Sequence, residues 1–257
     1  MSIFAAETEG GGVAFPPVEN LVEWPNIIDA ISFNKIGLIT VICFAVPTIA
    51  FAVSKKEMIP GKFQSFIEGI VRFVEESIAK PGIGHGYEKF VPLLISFFLF
   101  ISIGNLFEVI PFFQMPLNAR MGPPLVFALI SWAMFISVGI KHHGGGYIKE
   151  VLFPPGVPKA LYILITPIEF LSTFIVRPFS HAVRLFANML AGHILLVTFG
   201  VLSIATFQAS ALIVPWIGAF AGLIAFTAFE IGVSFIQGFV FAILAAVYIG
   251  GALHPSH

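Results

Sequence analysis

Long apolar stretches alternate with short polar segments along this chain, and the stretches are too long for ordinary soluble helices. About 20 apolar helical residues cross the hydrocarbon core of a bilayer, and five stretches are of that order or longer: residues 36–53, 90–111, 124–140, 161–203 and 210–253. Some 40 helical residues extend about 60 Å, twice the thickness of that core. The pattern therefore predicts five transmembrane helices, of which the last two are long, tilted and folded into a hairpin.

Residues 61–80 follow a different pattern. Apolar side chains recur there at helical spacing, and lysine, arginine and glutamate occupy the remaining positions. This predicts an amphipathic helix that lies along the membrane surface. Residues 1–33 contain no Lys or Arg and are acidic and rich in Gly and Pro, so we expect an extramembrane segment there. Residues 34–257 are then a single membrane domain.

The composition excludes a soluble protein. Residues that prefer apolar surroundings make up 58% of the chain and charged residues 11%, against roughly 25% charged residues in an ordinary globular domain. A net charge of −1 leaves no basic surface for nucleic acid, and the single Cys43 excludes a disulfide framework. No nucleotide, metal or nucleophile motif occurs, so we expect no cofactor, no metal and no enzyme activity of the chain on its own. The predicted fold class is all-α, polytopic and membrane-embedded.

The cations between the spans predict the orientation of the chain. Six Lys and Arg residues flank the amphipathic segment and three follow the third span, whereas only Arg120 lies between spans two and three. Cationic loops stay in the cytoplasm. We therefore expect the N-terminus outside and, after five crossings, the C-terminus in the cytoplasm.

Four charged residues lie within apolar spans: Glu108, Glu169, Arg184 and Glu230. A charge at the centre of a membrane helix costs about 2.5–3.5 kcal/mol on insertion scales, so it marks a functional site by default. Helical spacing predicts that the polar residues of the fourth span share one face, namely Glu169, Thr173, Arg177, Ser180, Arg184 and Asn188. His193 is nine residues beyond Arg184 and points to the opposite side.

An antiparallel hairpin of the last two spans matches residues by depth. Arg184 is level with Gln237, and His193 is level with Glu230. A histidine beside a glutamate can take and pass protons near neutral pH, whereas arginine stays protonated. The hairpin therefore predicts a proton relay that opens to the outside and ends at a permanent cation.

Three regions carry a family resemblance. Residues 177–193 read RPFSHAVRLFANMLAGH, residues 234–241 read SFIQGFVF before Tyr248, and residues 105–111 read NLFEVIP. In this order they resemble the motifs of ATP synthase subunit a, with Arg184 at the essential arginine. His193 and Glu230 are exchanged relative to many bacterial members, which preserves the histidine–acid pair, and Glu169 is one residue out of register with the acid that many members carry.

The resemblance implies a rotary proton path. Protons would come from outside through Glu230, His193, Asn105 and Glu108, load a carboxylate on a ring of c subunits, and leave to the cytoplasm beside a second set of residues: Ser180, Asn188, Tyr248 and Glu169. Arg184, with Gln237 at its depth, would separate the two paths. The implied partners are the c-ring, the peripheral-stalk subunit b, the other ATP synthase subunits and the lipid of a bacterial plasma membrane.

Two other classes of protein stay open on the residues alone. An ion-coupled secondary transporter would have paired broken helices in two repeats, and the sequence has no convincing internal repeat. An intramembrane enzyme or assembly factor would carry a nucleophile or metal constellation.

Overall fold

A computed structural model describes residues 26–28, 33–54, 61–110, 113–153, 158, 161–208 and 213–253. Nearly all of the predicted N-terminal extramembrane segment lies outside the described residues, as do Lys55 and Lys56. The described N-terminal residues form a short antiparallel pair of strands, β1 (Asn26–Ile28) and β2 (Phe33–Asn34). The rest of the described chain is helical, with short turns.

In the described part of the chain, nine α-helices follow the strands. They are α1 (Lys35–Val53), α2 (Lys62–Val74), α3 (Lys80–Ile83), α4 (Val91–Leu106), α5 (Gly122–His143), α6 (Gly146–Leu152), α7 (Tyr162–Leu171), α8 (Arg177–Gln208) and α9 (Ile213–Leu253) among the described residues. A π-helical turn, Ser172–Val176, connects α7 and α8, so that they form one continuous helical segment. Among the residues that the structure describes, four helical segments are long and apolar enough to cross a membrane, and α4 is a shorter apolar helix. The predicted all-α polytopic membrane fold is therefore confirmed, including the two long final helices.

Helix α4 ends earlier than the sequence predicted. The predicted span ran to residue 111, but α4 stops at Leu106 and a turn follows, in which the Glu108 N–H bonds to the Asn105 carbonyl at 3.0 Å. The helix could not have continued to the end of the predicted span in any case, because Pro111 disfavours helical geometry at Ile110, the residue before it. The turn places Glu108 beside other helices instead of extending it along the axis of α4.

The hairpin of α8 and α9 has the register that the sequence predicted. His181 packs on Phe241 with ring centroids 3.9 Å apart, and Phe207 packs on Trp216 at 5.6 Å. Contacting residues along the pair have a nearly constant sum of residue numbers, as antiparallel helices require. The predicted hairpin is confirmed, and its tilt in a bilayer stays a prediction.

The amphipathic segment packs against the hairpin at one end only. In α2, Ile67 and Val74 are buried, whereas Phe63 and Phe66 are 50% and 65% exposed. The segment continues through a π-helical turn, Glu75–Ala79, into α3, where Gly82 touches the end of α9. Glu75 accepts a 2.7 Å hydrogen bond from Tyr87 Oη, which raises the pKa of Tyr87 to about 12. The exposed phenylalanines suit a helix that rests on a membrane surface.

Candidate functional site

Three titratable side chains from three parts of the chain meet inside the helix bundle. Glu108 comes from the turn after α4, His193 from α8 and Glu230 from α9, and they are 4%, 6% and 3% exposed. His193 Nδ1 lies 3.4 Å from Glu108 Oε1, and Glu230 interacts electrostatically with both. Imidazole and carboxylate groups this close can exchange protons. We call Glu108, His193 and Glu230 the acid–histidine cluster.

Gly192 makes room for this cluster. A Cβ built on Gly192 would overlap the carboxylate of Glu230, whose Oε2 would be 2.6 Å away. The carboxylate therefore rests directly on the backbone of α8, next to His193. Sequence reasoning missed this role, although Gly192 lies in the stretch that carries the family resemblance, because only the packing of α9 shows which side chain needs the space.

The direct partner of His193 is different from the predicted one. The hairpin register matched His193 with Glu230, and Glu230 does lie at that depth, against Gly192. The ion-pair contact, however, joins His193 to Glu108. The register of two helices cannot predict this contact, since Glu108 comes from a third element whose position depends on the turn after α4.

An asparagine pair lies beside the cluster. Asn105 and Asn118 are both fully buried, and Asn118 Nδ2 donates to Asn105 Oδ1 at 2.7 Å. The sequence gives no sign of this burial, since Asn118 lies in the short segment between the second and third predicted spans. Residues 115–119 are buried because the short 3₁₀ turn Leu117–Ala119 folds back onto α8.

Arg184 lies on the opposite side of α8 from the acid–histidine cluster. It is exposed, as are Ser180 and Asn188 one turn to either side and the small residues Ala187 and Ala191. Arg184 forms no hydrogen bond or ion pair with any of the residues that the structure describes. We call Ser180, Arg184, Ala187, Asn188 and Ala191 the arginine face. The predicted separation of Arg184 from His193 is confirmed by this difference in burial.

No hydrogen bond joins Gln237 to Arg184 in the described part of the chain. It is 8% exposed, and its neighbour Gly238 packs on Phe98 and Ser102 of α4. The hairpin register puts Arg184 and Gln237 at matched depth, but Gln237 is buried and Arg184 is exposed.

Tyr248 is half-buried near the cytoplasmic end that the charge pattern predicts. Its ring packs on Phe135 at 5.8 Å and edge-on to His181 at 5.9 Å, and the Arg177 guanidinium lies 5.7 Å from its centroid. The Tyr248 ring thus contacts Phe135 of α5 and two residues in the first turns of α8, His181 and Arg177. His181 is itself buried against Phe241.

The predicted polar stripe does not continue upstream of Arg177. Thr173, which the spacing placed with Arg184, is fully buried, and its carbonyl accepts a 3.2 Å hydrogen bond from Trp132 Nε1. The cause is the π-helical turn Ser172–Val176, since an i→i+5 turn absorbs an extra residue and changes the phase of the helix. Glu169 lies before this turn and is half-buried in α7.

The fold and the site together define the class of protein as an ion-translocating membrane protein. The chain has membrane-length helices, a buried cluster of titratable groups and an exposed arginine on an apolar helix. Comparison with known sequences narrows the class. The sequence model of the family described as "ATP synthase A chain" matches residues 36–250. The chain therefore belongs to the ATP synthase A chain family.

Individual relatives agree with this assignment. ATP synthase subunit a of Pseudarthrobacter chlorophenolicus is 36% identical over 262 residues, which cover 99% of this chain and 98% of the relative. The subunit a sequences of Rhodococcus erythropolis and Frankia alni are each 40% identical, over 93% and 79% of this chain and 88% and 71% of theirs. The family confirms the resemblance seen in the motifs: the chain is a membrane component of ATP synthase, acts in ATP synthesis and proton transport, and is not an enzyme on its own. The alternatives of a secondary transporter and an intramembrane enzyme are excluded with it.

Proposed function

We propose that this chain is the stator beside a rotating c-ring and provides two half-channels for protons, separated by Arg184. One observation carries the proposal. The acid–histidine cluster is buried on one side of α8, while Arg184 is exposed and unpaired among the described residues on the other side. A charged guanidinium on an apolar helix needs a counter-charge from a partner. A carboxylate on a passing ring helix is a partner of that chemistry.

Arg184 is the barrier in this mechanism. Its guanidinium stays protonated, so it favours the ionised form of a ring carboxylate that comes close to it. A proton must then be released before the carboxylate passes Arg184, and another is taken up afterwards. Each proton crossing 100 mV releases about 2.3 kcal/mol, and the barrier keeps this free energy coupled to rotation.

The inlet half-channel uses the buried cluster. Glu230, His193 and Glu108 take protons from the outside, and Asn105 provides a polar wall next to them. The outlet half-channel runs to the cytoplasm along the arginine face through Ser180 and Asn188, and then beside Tyr248 and Glu169. Gln237 provides a polar amide at the depth of Arg184, on the side of α4.

The partners and the location follow from the same function. The c-ring covers the arginine face, subunit b of the peripheral stalk holds the chain against rotation, and the other ATP synthase subunits complete the complex. The location is a bacterial plasma membrane, with the N-terminus outside and the C-terminus in the cytoplasm. The exposed apolar side chains of α2 rest on its cytoplasmic surface.

Cross-linking in the intact complex tests whether a ring covers the arginine face. In a Cys43→Ala background, Ala191→Cys places a thiol on the face, and Ile204→Cys places one on another exposed side of α8. Ile204 lies 20 residues beyond Arg184, roughly 200° round the helix, and is 56% exposed. After labelling with a benzophenone maleimide and irradiation, we expect a cross-link from position 191 to a small ring subunit and none from position 204. Ring cross-links from position 204 alone would contradict the proposal.

A further inference from the structure

A groove runs between α1 and α4, beyond the point where the two helices touch. They meet closely at one level, where Cys43 Sγ lies 3.6 Å from the position that a Cβ on Gly104 would have, and the rings of Phe44 and Phe100 are 4.5 Å apart. Towards the end of α1 they leave a groove of about 420 Å³. Its walls come from Pro47, Thr48 and Phe51 of α1, Val71 of α2, and residues between Glu88 and Leu99 at the start of α4.

The walls of this groove suit hydrocarbon better than water. Thr48 and Ser96 are the hydroxyl residues in the walls, and each donates to the carbonyl four residues earlier: Thr48 to Phe44 at 2.7 Å and Ser96 to Pro92 at 2.8 Å. The other lining side chains are apolar, apart from Glu88 at one end. An ordered water needs two to four polar partners. Between two membrane helices, an apolar groove therefore fills with hydrocarbon.

The length of the groove matches one leaflet of a bilayer. From Glu88 to Leu99 the chain rises about 16 Å at helical spacing, close to half of the roughly 30 Å hydrocarbon core. The asymmetry of Lys and Arg between the loops predicts that Glu88 lies at the cytoplasmic surface. The groove then extends from the cytoplasmic headgroups to the middle of the bilayer, which is the region that the acyl chains of the cytoplasmic leaflet occupy.

The groove is too narrow for a membrane helix. A helix 10 Å across would occupy about 1,200 Å³ over this length, roughly three times the volume of the groove. An acyl chain is an unbranched row of methylene groups and is much thinner than a helix with its side chains. The dimensions therefore favour a lipid chain over a helix of another subunit.

The charged side chains at the groove lie at its headgroup end. Glu88 lines the groove there and is exposed. Arg72 and Lys89 directly follow the lining residues Val71 and Glu88, and both are exposed. A carboxylate attracts an ammonium group, and arginine and lysine bind phosphate. This combination is complementary to a headgroup that carries both a phosphate and a primary ammonium group.

We propose that the groove between α1 and α4 binds an acyl chain of a cytoplasmic-leaflet phospholipid whose headgroup carries an ammonium group, with Glu88 as the counter-charge. The chain fills the space that α1 leaves against the rest of the bundle, and so it helps to hold α1 on α4. None of the lining residues belongs to the proposed proton path. The lipid therefore acts on the attachment of α1 and not on proton transfer.

Photolabelling of the intact complex tests whether an acyl chain lies in the groove. The complex is reconstituted in phosphatidylglycerol vesicles that contain a small fraction of phosphatidylethanolamine with a diazirine on its acyl chain, and is then irradiated and digested. We expect adducts on the peptides of α1 and α4 that line the groove. Ser96→Phe fills the groove and should reduce these adducts by about fivefold or more.

Ser137→Phe is the matched control for this substitution. Ser137 is an exposed serine of α5 that bonds to the Ala133 carbonyl in the same way as Ser96 bonds to the Pro92 carbonyl. It should leave the adducts on α1 and α4 unchanged. Absence of adducts from these peptides in the wild type, or equal adducts in the Ser96→Phe and Ser137→Phe complexes, would overturn the proposal.

A change of headgroup tests the role of Glu88 without altering the walls of the groove. The same diazirine chain on phosphatidylglycerol, which lacks the ammonium group, should give about threefold fewer adducts in the wild type. Glu88→Gln should remove this preference. Glu76→Gln should keep it, because Glu76 is an exposed glutamate that does not line the groove. Equal labelling by the two probes in the wild type would overturn the assignment of the headgroup.

A helix of another subunit is the alternative occupant, and a probe inside the groove distinguishes it. In a Cys43→Ala background, Ser96→Cys is labelled with benzophenone maleimide in the intact complex and irradiated. We expect cross-links to phospholipid and none to another subunit. A cross-link from position 96 to a second protein chain would overturn the proposal.

Discussion

At the scale of single residues, the site depends on contacts between side chains from separate elements. His193 contacts Glu108 at 3.4 Å, and Glu230 lies against Gly192. The sequence predicted His193 and Glu230 as site residues because a charged or titratable group in an apolar span is costly. It could not predict the His193–Glu108 contact, nor the role of Gly192, because both depend on how α4 and α9 pack on α8.

Gly192→Ala tests the room that Glu230 needs. The added methyl group would overlap the Glu230 carboxylate, and overpacking of this kind costs about 1–3 kcal/mol. We expect proton pumping to fall by roughly tenfold in an assembled complex. Gly200→Ala on the same helix is the control, because nothing lies within 4 Å of its Cβ. Equal rates for both variants would mean that the position of Glu230 does not limit proton delivery.

A double-mutant cycle tests the His193–Glu108 contact. His193→Ala and Glu108→Ala should each slow pumping while coupling survives, since Arg184, the barrier that we propose, is still present in both variants. Residues in contact show interaction free energies of about 0.5–3 kcal/mol, so we expect the double variant to be clearly faster than the product of the two single losses. Pumping rates of the wild type, both single variants and the double variant give this energy. If the losses simply multiply, the two residues act separately.

Exchanging the two residues tests the His193–Glu230 pair. His193→Glu with Glu230→His should recover more pumping than the worse of its two component variants, since Glu230 also interacts with His193 and the same two residue types occur at these depths after the exchange. If the double variant pumps no faster than the worse of the two single variants, Glu108 and not Glu230 is the partner of His193 in proton transfer.

At the scale of elements, most of the helices could be predicted from hydrophobicity alone. Apolar runs of about the length that crosses a bilayer, or longer, predict α1, α5 and the α8–α9 hairpin, because every backbone group in lipid must be satisfied within a helix. Two features could not be predicted in this way. The end of α4 depends on a local turn. The π-helical turn Ser172–Val176 does not alter the pattern of apolar residues, but it changes the phase of α7 relative to α8.

Gly250→Ala tests the packing of α3 on the end of α9. A Cβ at this position would meet the backbone of Gly82 and, at 3.0 Å, the Cα of Ile83. Backbone atoms cannot move aside as a side chain can, so we expect a loss of about 1–3 kcal/mol in stability. The midpoint of thermal dissociation of the purified complex measures it. Gly251→Ala, where nothing lies within 4 Å, should leave the midpoint unchanged, and an equal midpoint for Gly250→Ala would show that this contact does not stabilise the complex.

At the scale of the whole molecule, the two sides of α8 have different environments. The acid–histidine cluster is buried within the chain, and the arginine face is exposed. The sequence predicted the division, because nine helical residues separate Arg184 from His193. It could not predict how the turn at residues 115–119 closes over Asn105, since that turn carries no helical period.

The orientation in the membrane is testable with thiol labelling. The asymmetry of Lys and Arg between the loops predicts that the turn after α5 lies in the cytoplasm and that the turn before α5 lies outside. Gly145 and Gln114 are exposed in these two turns. In a Cys43→Ala background, Gly145→Cys should react with an impermeant maleimide only from the cytoplasmic side, and Gln114→Cys only from the outside. Reaction of both from one side would contradict the five-span arrangement.

Gradient-driven ATP synthesis in membranes with the Arg184→Ala complex decides whether Arg184 separates two proton paths. We expect ATP synthesis and ATP-driven pumping to be abolished while the complex assembles normally. Arg184→Lys should also fail substantially, because a desolvated lysine can lose its proton and arginine does not. Near-normal coupled synthesis in the assembled Arg184→Ala complex would contradict the account.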